Sequence, residues 1–201
     1  MAQAFISYSL LAAIINPMTT LILRAATQDD LDFLIKIDQD DEGIASPVQY
    51  LTEEEQREHR NKIAAFVGNE DDCAWVLENV ECGDIVAVIM CRFRDLMSEA
   101  AGAYNSLRIV GDAWLRPETR YCEVFQLWVD PAYRRQGLAT RLKQHIEVEA
   151  KDRGIDYIYT HTEEENAHVI DLNLKLGYYE IRRGPIWDEV TRVSLVKRLR
   201  R

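Results

Sequence analysis

Leu127-Trp-Val-Asp-Pro-Ala-Tyr-Arg-Arg-Gln-Gly-Leu-Ala-Thr140 is the stretch on which the fold turns. An apolar run from Tyr121 to Val129 reads as a strand, and Asp130-Pro131 stops it. Leu138, Leu142, Ile146 and Ala150 then recur at i, i+4 steps, which predicts a helix from Leu138 to Lys151. Between strand and helix stand Arg134, Arg135, Gln136 and Gly137. Gly137 has no Cβ, so a ligand can approach the backbone closely there. The first helical turn, with Leu138, Ala139 and Thr140, presents N–H groups that lack intrahelical partners, together with a partial positive charge. The two arginines add charge-assisted donors of the kind phosphate oxygens take. On spacing alone the turn is either a phosphate or pyrophosphate site or a solvated corner with two surface arginines. It is not a phosphate loop with Gly-Lys-Ser/Thr. With a single glycine it is not the dinucleotide fingerprint either.

Upstream, Leu21 to Ala25 is a short β-like run. Thr27 stands as an N-cap, with Asp29 and Asp30 in the first turn of a helix reaching about Asp38. Gly43 to Pro47 is a loop, and Thr52-Glu-Glu-Glu55 is a capping box that opens a helix carrying Ile63, Phe66 and Val67 inward. Cys73 to Val80 and Ile85 to Phe93 form a predicted hairpin around Glu81-Cys-Gly-Asp84. Leu96 to Arg120 is a helix or a long loop. Downstream come a strand at Tyr157 to Thr162, a helix at Asn166 to Leu176 stopped by Gly177, and β-like runs at Tyr178 to Arg183 and Glu189 to Lys197. Helices and strands interleave, so an α/β (α+β layered) domain around a mixed sheet follows.

The chain has 201 residues, enough for one domain spanning residues 21–201 and a short appendage. Residues 1–20 are uncharged and apolar. They lack the basic start of a signal peptide and are diluted by Gln3, Asn16 and Pro17, so neither a targeting signal nor a membrane span is expected. They read as an N-terminal extension, with Met18 as an alternative start. The net charge of −10 argues against general nucleic-acid binding. Four cysteines without Cys-x-x-Cys indicate no zinc site, and Cys73 and Cys91 are expected to stay reduced in a cytoplasmic protein even where they face each other.

The turn carries a family resemblance. Arg134-Arg-Gln-Gly137-Leu-Ala139 resembles the Arg/Gln-x-x-Gly-x-Gly/Ala signature of the GCN5-related N-acetyltransferases (GNAT), and Leu127-Trp-Val-Asp-Pro131 resembles the strand before it. Asn166 and Leu172-Asn-Leu-Lys-Leu-Gly-Tyr178 resemble the later family motif. The resemblance implies a mostly antiparallel sheet of six or seven strands with about four helices, and an acetyl-CoA-dependent transfer to a primary amine without a metal. It also implies that the strand splays, so that backbone near Leu127, Trp128 and Val129 pairs with the pantetheine arm. The pyrophosphate would lie on amides from Arg135 to Thr140, with Asn166 and Asn173 near the cofactor.

An amine must lose a proton before it attacks a thioester. Glu123 is the candidate base: by strand parity it shares a stripe with Phe125, Leu127 and Val129, where a carboxylate is costly unless paired or functional. Its structural alternative is an ion pair with a nearby arginine. The resemblance places a tyrosine acid where this chain has Asn173, so the proton for the leaving thiolate is assigned to solvent or to a group such as Tyr178. That departure supports a rival reading, a non-catalytic acyl-CoA-binding module. Another rival acylates a hydroxyl or uses a longer acyl chain. Cys122 neighbours Glu123 but on the other strand face, which disfavours a covalent acetyl-cysteine. His161 and His168 around Glu163-Glu-Glu165 read as a solvated acidic loop ahead of a metal site.

Gln28 to Glu58 holds eleven carboxylates against Lys36 and Arg57, a net −9, whereas Pro131 to Gly154 is +3. The acidic flank is a solvated surface or a wall that steers a cationic amine, such as a polyamine or a lysine side chain. Oligomeric state is open, and a homodimer is compatible with the sequence.

Overall fold

The structure, a computed structural model, describes residues 20–41, 52–95 and 119–199. The extension before Thr20, the loop at Gly43 to Pro47 and the segment from Leu96 to Glu118 lie outside them. Among the described residues the order is β1 (Leu21–Ala25), α1 (Leu31–Asp41), α2 (Glu53–Ala64), β2 (Asp72–Asn79), β3 (Ile85–Asp95), β4 (Arg120–Val129), α3 (Leu138–Asp152), β5 (Tyr157–Glu163), α4 (Ala167–Lys175), β6 (Tyr179–Gly184) and β7 (Arg192–Arg198). The seven strands form one sheet in the order β1-β2-β3-β4-β5-β7-β6. Every neighbouring pair is antiparallel except β4–β5. A parallel pair needs a crossover, and α3 supplies it.

Local chemistry explains the helix starts. At Thr52 the hydroxyl accepts from the Glu55 N–H (3.2 Å), while the Glu55 carboxylate accepts from the Thr52 N–H (2.7 Å). This is the capping box the sequence predicts. At Thr27 a short 3₁₀ turn, Gln28–Asp30, precedes α1, because the Asp30 carboxylate turns back to the Thr27 N–H (2.7 Å) and is clamped by Arg24 (2.7 and 2.9 Å). Arg24 accordingly holds the Asp30 carboxyl below its usual range. α1 runs one turn beyond the expected Asp38, and β7 starts at Arg192 because Asp188 to Val190 form a turn tied by the Arg192 guanidinium.

The sheet has two unlike faces. α1 and α2 cover one, with Leu34, Ile37, Ile63 and Phe66 buried against Val76, Val88 and Met90. α3 covers the other, with the predicted stripe Leu138, Leu142, Ile146 and Ala150 on Ile89, Cys91, Cys122 and Ile158, and Ile170 and Leu176 join it there. Each such side chain contributes about 1.5–3 kcal/mol on burial. Cys73 and Cys91 do stand opposite each other across β2 and β3, and all four cysteines are free thiols.

One irregularity reshapes β4. Met90 pairs with Gln126, but Cys91 pairs with Val124, so Phe125 is an extra residue. This β-bulge reverses the side-chain alternation beyond it. Glu123 is therefore not on one stripe with Leu127 and Val129, as parity predicts. Phe125 packs on Phe66 on the α1–α2 face, and Gln126 and Trp128 follow it there. Leu127 and Val129 pack into the α3 core instead.

Candidate active site

β4 and β5 are joined only through Tyr121–Glu123 and Tyr157–Tyr159. Beyond Glu123, β4 continues six residues to Val129 without pairing to β5, while β5 continues to Glu163 on β7. The two strands thus open like a V with Glu123 and Tyr159 at its vertex. Leu127, Trp128 and Val129 line the β4 arm, all half-buried, and Trp128 is braced edge-on by Phe33 (5.4 Å). Among the described residues, their backbone edge has no β5 partner.

The arm runs directly into the signature turn. Asp130 caps a 3₁₀ turn, Pro131–Tyr133, by accepting from the Ala132 N–H (2.7 Å). Arg134 Nε donates to the Val129 carbonyl (3.0 Å), which fixes that guanidinium at the mouth of the opening. Arg135 has φ 64°, the one non-glycine left-handed residue among those described, and Gly137 has φ 83°. Left-handed backbone at a side chain is strained and tends to mark functional sites. Gly137 is the N-cap of α3 and has no side chain to cap with, so the amides of Leu138, Ala139 and Thr140 stay open to an external anion. Arg134, Arg135, Gln136 and Gly137 are exposed. This donor set fits a pyrophosphate.

Asn166 ends the β5 arm. It is half-buried as the N-cap of α4, its N–H bonds to the Glu163 carbonyl (3.0 Å), and its side chain makes no cap bond. Asn173 is fully buried in α4; its amide donates to the Val169 carbonyl (2.9 Å), and its Oδ1 is buried with no partner. One of its two amide N–H groups is thereby used, and the side chain is closed off from solvent. Tyr178 lies away from the opening, in the α3 core with Cys91 and Cys122 and stacked under Lys143 (4.5 Å), and burial pushes its hydroxyl pKa well up. Cys122 also points into that core, away from Glu123.

Glu123 is half-buried on the α1–α2 face, and Arg92 lies 3.7 Å away on β3. The predicted ion-pair alternative thus has its arginine. On the β5 arm the structure adds a residue that sequence reading treats blandly, His161. It shares a face with Tyr159, the vertex partner of Glu123, by strand alternation. Its ring sits between Tyr159 (5.9 Å) and Trp187 (4.7 Å), and its Nδ1 is buried without a partner. Burial first, then the nearby Arg192, pushes its pKa down to about 4, so the imidazole is neutral and only weakly basic at neutral pH. No local pattern marks it, because only the β4–β5 register puts it two residues beyond the partner of Glu123.

Among the described residues, no group of His, Cys, Asp and Glu is arranged to hold a metal ion, and no helix is long and apolar enough to cross a membrane. Three carboxylates of the acidic flank are already engaged: Asp30 by Arg24, Asp32 by Arg60 (2.7 Å), and Asp38 by His59 (2.8 Å) and Lys62 (3.5 Å).

No curated protein matches the chain by sequence. Solved structures share its fold at low identity. NAA60 of Arabidopsis thaliana in complex with acetyl-CoA superposes with a TM-score of 0.67 at 16% identity, covering 90% of this chain and 99% of that one. The ribosomal-protein-S18-alanine N-acetyltransferase of Escherichia coli gives 0.59 at 16%, covering 90% and 96%. Spermidine N-acetyltransferase of Vibrio cholerae with CoA and spermine gives 0.60 at 16%, covering 89% and 95%. The sequence from residue 31 to 178, which contains the V, the turn and α4, matches the acetyltransferase (GNAT) family. It is to that family that this chain belongs.

Proposed function

We propose that this chain transfers an acetyl group from acetyl-CoA to a primary amine, of a small molecule or a peptide, by direct attack within a ternary complex. The observation that carries the reading is the coincidence of two openings: β4 leaves β5 at Glu123, and past the end of β4 the chain enters a helix N-terminus with no side-chain cap, with left-handed Arg135 and Gly137 before Leu138. When bound, acetyl-CoA supplies the activated acyl group. The fold neighbours solved with acetyl-CoA, or with CoA and spermine, support this reading. The working unit is the single domain of residues 21–201.

In this reading the β4 backbone at Leu127, Trp128 and Val129 orients the pantetheine. The amides from Arg135 to Thr140, with the Arg134 and Arg135 side chains, hold the pyrophosphate. Asn166 binds on the β5 arm, and Asn173 buttresses α4 beside it. Glu123 takes the proton of the incoming ammonium, directly or through water, and His161 on the opposite arm, held neutral by burial, can accept a hydrogen bond but is too weak a base to replace it. Holding both reactants in the V supplies much of the rate. Neither Asn173 nor Tyr178 is placed to act as the acid, so water is the remaining proton source. Any steering of a cationic amine rests on exposed carboxylates such as Asp29, Asp40, Glu53 and Glu58, since the others named above are paired.

The test is thiol release from acetyl-CoA over a panel of amines, lysine peptides and peptide N-termini, with the acetylated product identified by mass. Release with at least one acceptor is expected; none across the panel overturns the reading. The second reading, an acyl-CoA-binding module, is favoured by the buried amide of Asn173 standing where a proton-donating tyrosine is expected, and predicts CoA binding without thiol release.

A further inference from the structure

We propose that Arg92 is the positioning residue of this site, a cation resting against two aromatic rings so that it holds the Glu123 carboxylate charged at the vertex of the V. The inference rests on Glu123 being the base. Arg92 and Glu123 are register partners across β3 and β4, with Nη1 and Oε2 3.7 Å apart. At that distance the contact is an ion pair through space and not a hydrogen bond.

What fixes the guanidinium is aromatic. Its carbon lies 4.4 Å from the Phe125 ring centre and 5.1 Å from that of Phe66, and the two rings pack on each other at 4.8 Å. Arginine stacks on such faces, and each contact gains as water is excluded. Phe125 is the bulged residue itself, so the irregularity that turns β4 at the vertex also presents the ring on which Arg92 rests. A plain surface pair would need neither ring. Arg92 is only 26% exposed at its side chain and Glu123 20%, so water screens the pair incompletely.

The other charged or titratable described groups around Glu123 are Lys62 of α2, which sits over the far side of the same shelf (5.0 Å from the Phe125 centre), Asp72 of β2 in register with Arg92, Tyr121 on β4, and Tyr159 and His161 on β5. Asp72 is taken up by Arg94 (2.5 Å). Arg92 itself stands in ion-pair contact with the carboxylate. An opposite charge at this range lowers a carboxyl pKa by about one unit or more.

The experiment is the pH dependence of kcat/KM for wild type, Arg92→Gln, Arg92→Lys and Glu123→Gln. Arg92→Gln is expected to move the acidic limb up by about one pH unit while keeping activity on the high-pH plateau within about tenfold. Arg92→Lys keeps the charge and is expected to restore most of the wild-type limb. An unmoved limb in Arg92→Gln overturns the inference. Should Arg92→Gln not fold, Phe125→Leu, which removes the shelf and keeps the charge, is read the same way, with a smaller upward shift expected. If Glu123→Gln keeps both turnover and limb, it is the base assignment that fails, which separates the two.

Discussion

Glu123 and Leu127 lie four residues apart on one strand and face opposite sides of the sheet. An unbroken strand would put them on the same side. The bulge at Phe125 divides the labour of β4: before it Glu123 looks toward the α1–α2 face while Cys122 and Val124 pack under α3, and after it Leu127 and Val129 anchor the arm in the α3 core. The arm is thereby held rigid while its backbone stays open toward β5. Bulges recur beside active sites for this reason, since they re-aim side chains without ending the strand.

Replacing Glu123 by Gln removes the proton acceptor and keeps the shape. The expected result is a fall in kcat of about 100-fold or more, with the KM for acetyl-CoA unchanged, because the cofactor turn lies six or more residues away. Steady-state kinetics with any accepted amine check this. A change in the KM for acetyl-CoA alone would place Glu123 on the cofactor side instead.

The signature turn trades stability for binding at Arg135. A left-handed non-glycine costs about 1 kcal/mol or more. Arg135→Gly is therefore expected to raise stability by about 1 kcal/mol, a gain of about 2–4 °C in Tm, while weakening CoA about tenfold through the lost charge. Gly137→Ala should do the reverse for stability. Its Cβ would meet nothing within 4 Å, so the loss of about 1 kcal/mol is purely conformational. Thermal melts and CoA titration by calorimetry read both.

Much of this was legible in the sequence. The turn at Arg134 to Thr140, the stripe Leu138–Ala150 and the capping box at Thr52 each follow from local patterns, which need only neighbours a few residues away. The bulge was not legible, because Glu123-Val-Phe-Gln126 carries no glycine or proline to mark an extra residue, and its register is set by β3. Parity reasoning failed there for that reason. The place of Tyr178 was also hidden: a buried lysine 35 positions upstream, Lys143, fixes its surroundings, and only the packing of α3 on the sheet brings them together.

Asn173 is expected to contribute structure and not proton transfer. Its amide closes on Val169, and its orphaned Oδ1 carries a desolvation cost of about 1–3 kcal/mol. Asn173→Leu keeps a similar volume and removes the orphan. The expected outcome is stability within about 1 kcal/mol of wild type or above it, and kcat within about tenfold. A kcat loss of a thousandfold, or loss of the basic limb of the pH profile, would return Asn173 to the chemistry.

Lys143 gives the protein a stability that depends on pH in an unusual direction. Its ammonium is fully buried under α3, has no hydrogen-bond partner, and rests over the Tyr178 ring. Burial pushes its pKa down from 10.5 to about 8, against the partial support of Glu147 and the cysteine pair. Below about pH 8 the folded protein must keep the charge in an apolar site, whereas the unfolded chain keeps it in water until about pH 10.4. Between those values the unfolded state binds more protons, so stability from this group rises with pH across the window from about 8 to 10.4. Lys143→Met fills the same space without a charge. At pH 7 it is expected to be more stable than wild type by about 3 kcal/mol, the free energy of a depression from 10.5 to about 8, less the lost contact with Tyr178. Urea melts at pH 7, 8.5 and 10 check the sign: the advantage of the variant should shrink as pH rises. An advantage that stays constant across the three would mean that the Lys143 pKa is not depressed and the ammonium stays charged in the fold to about pH 10.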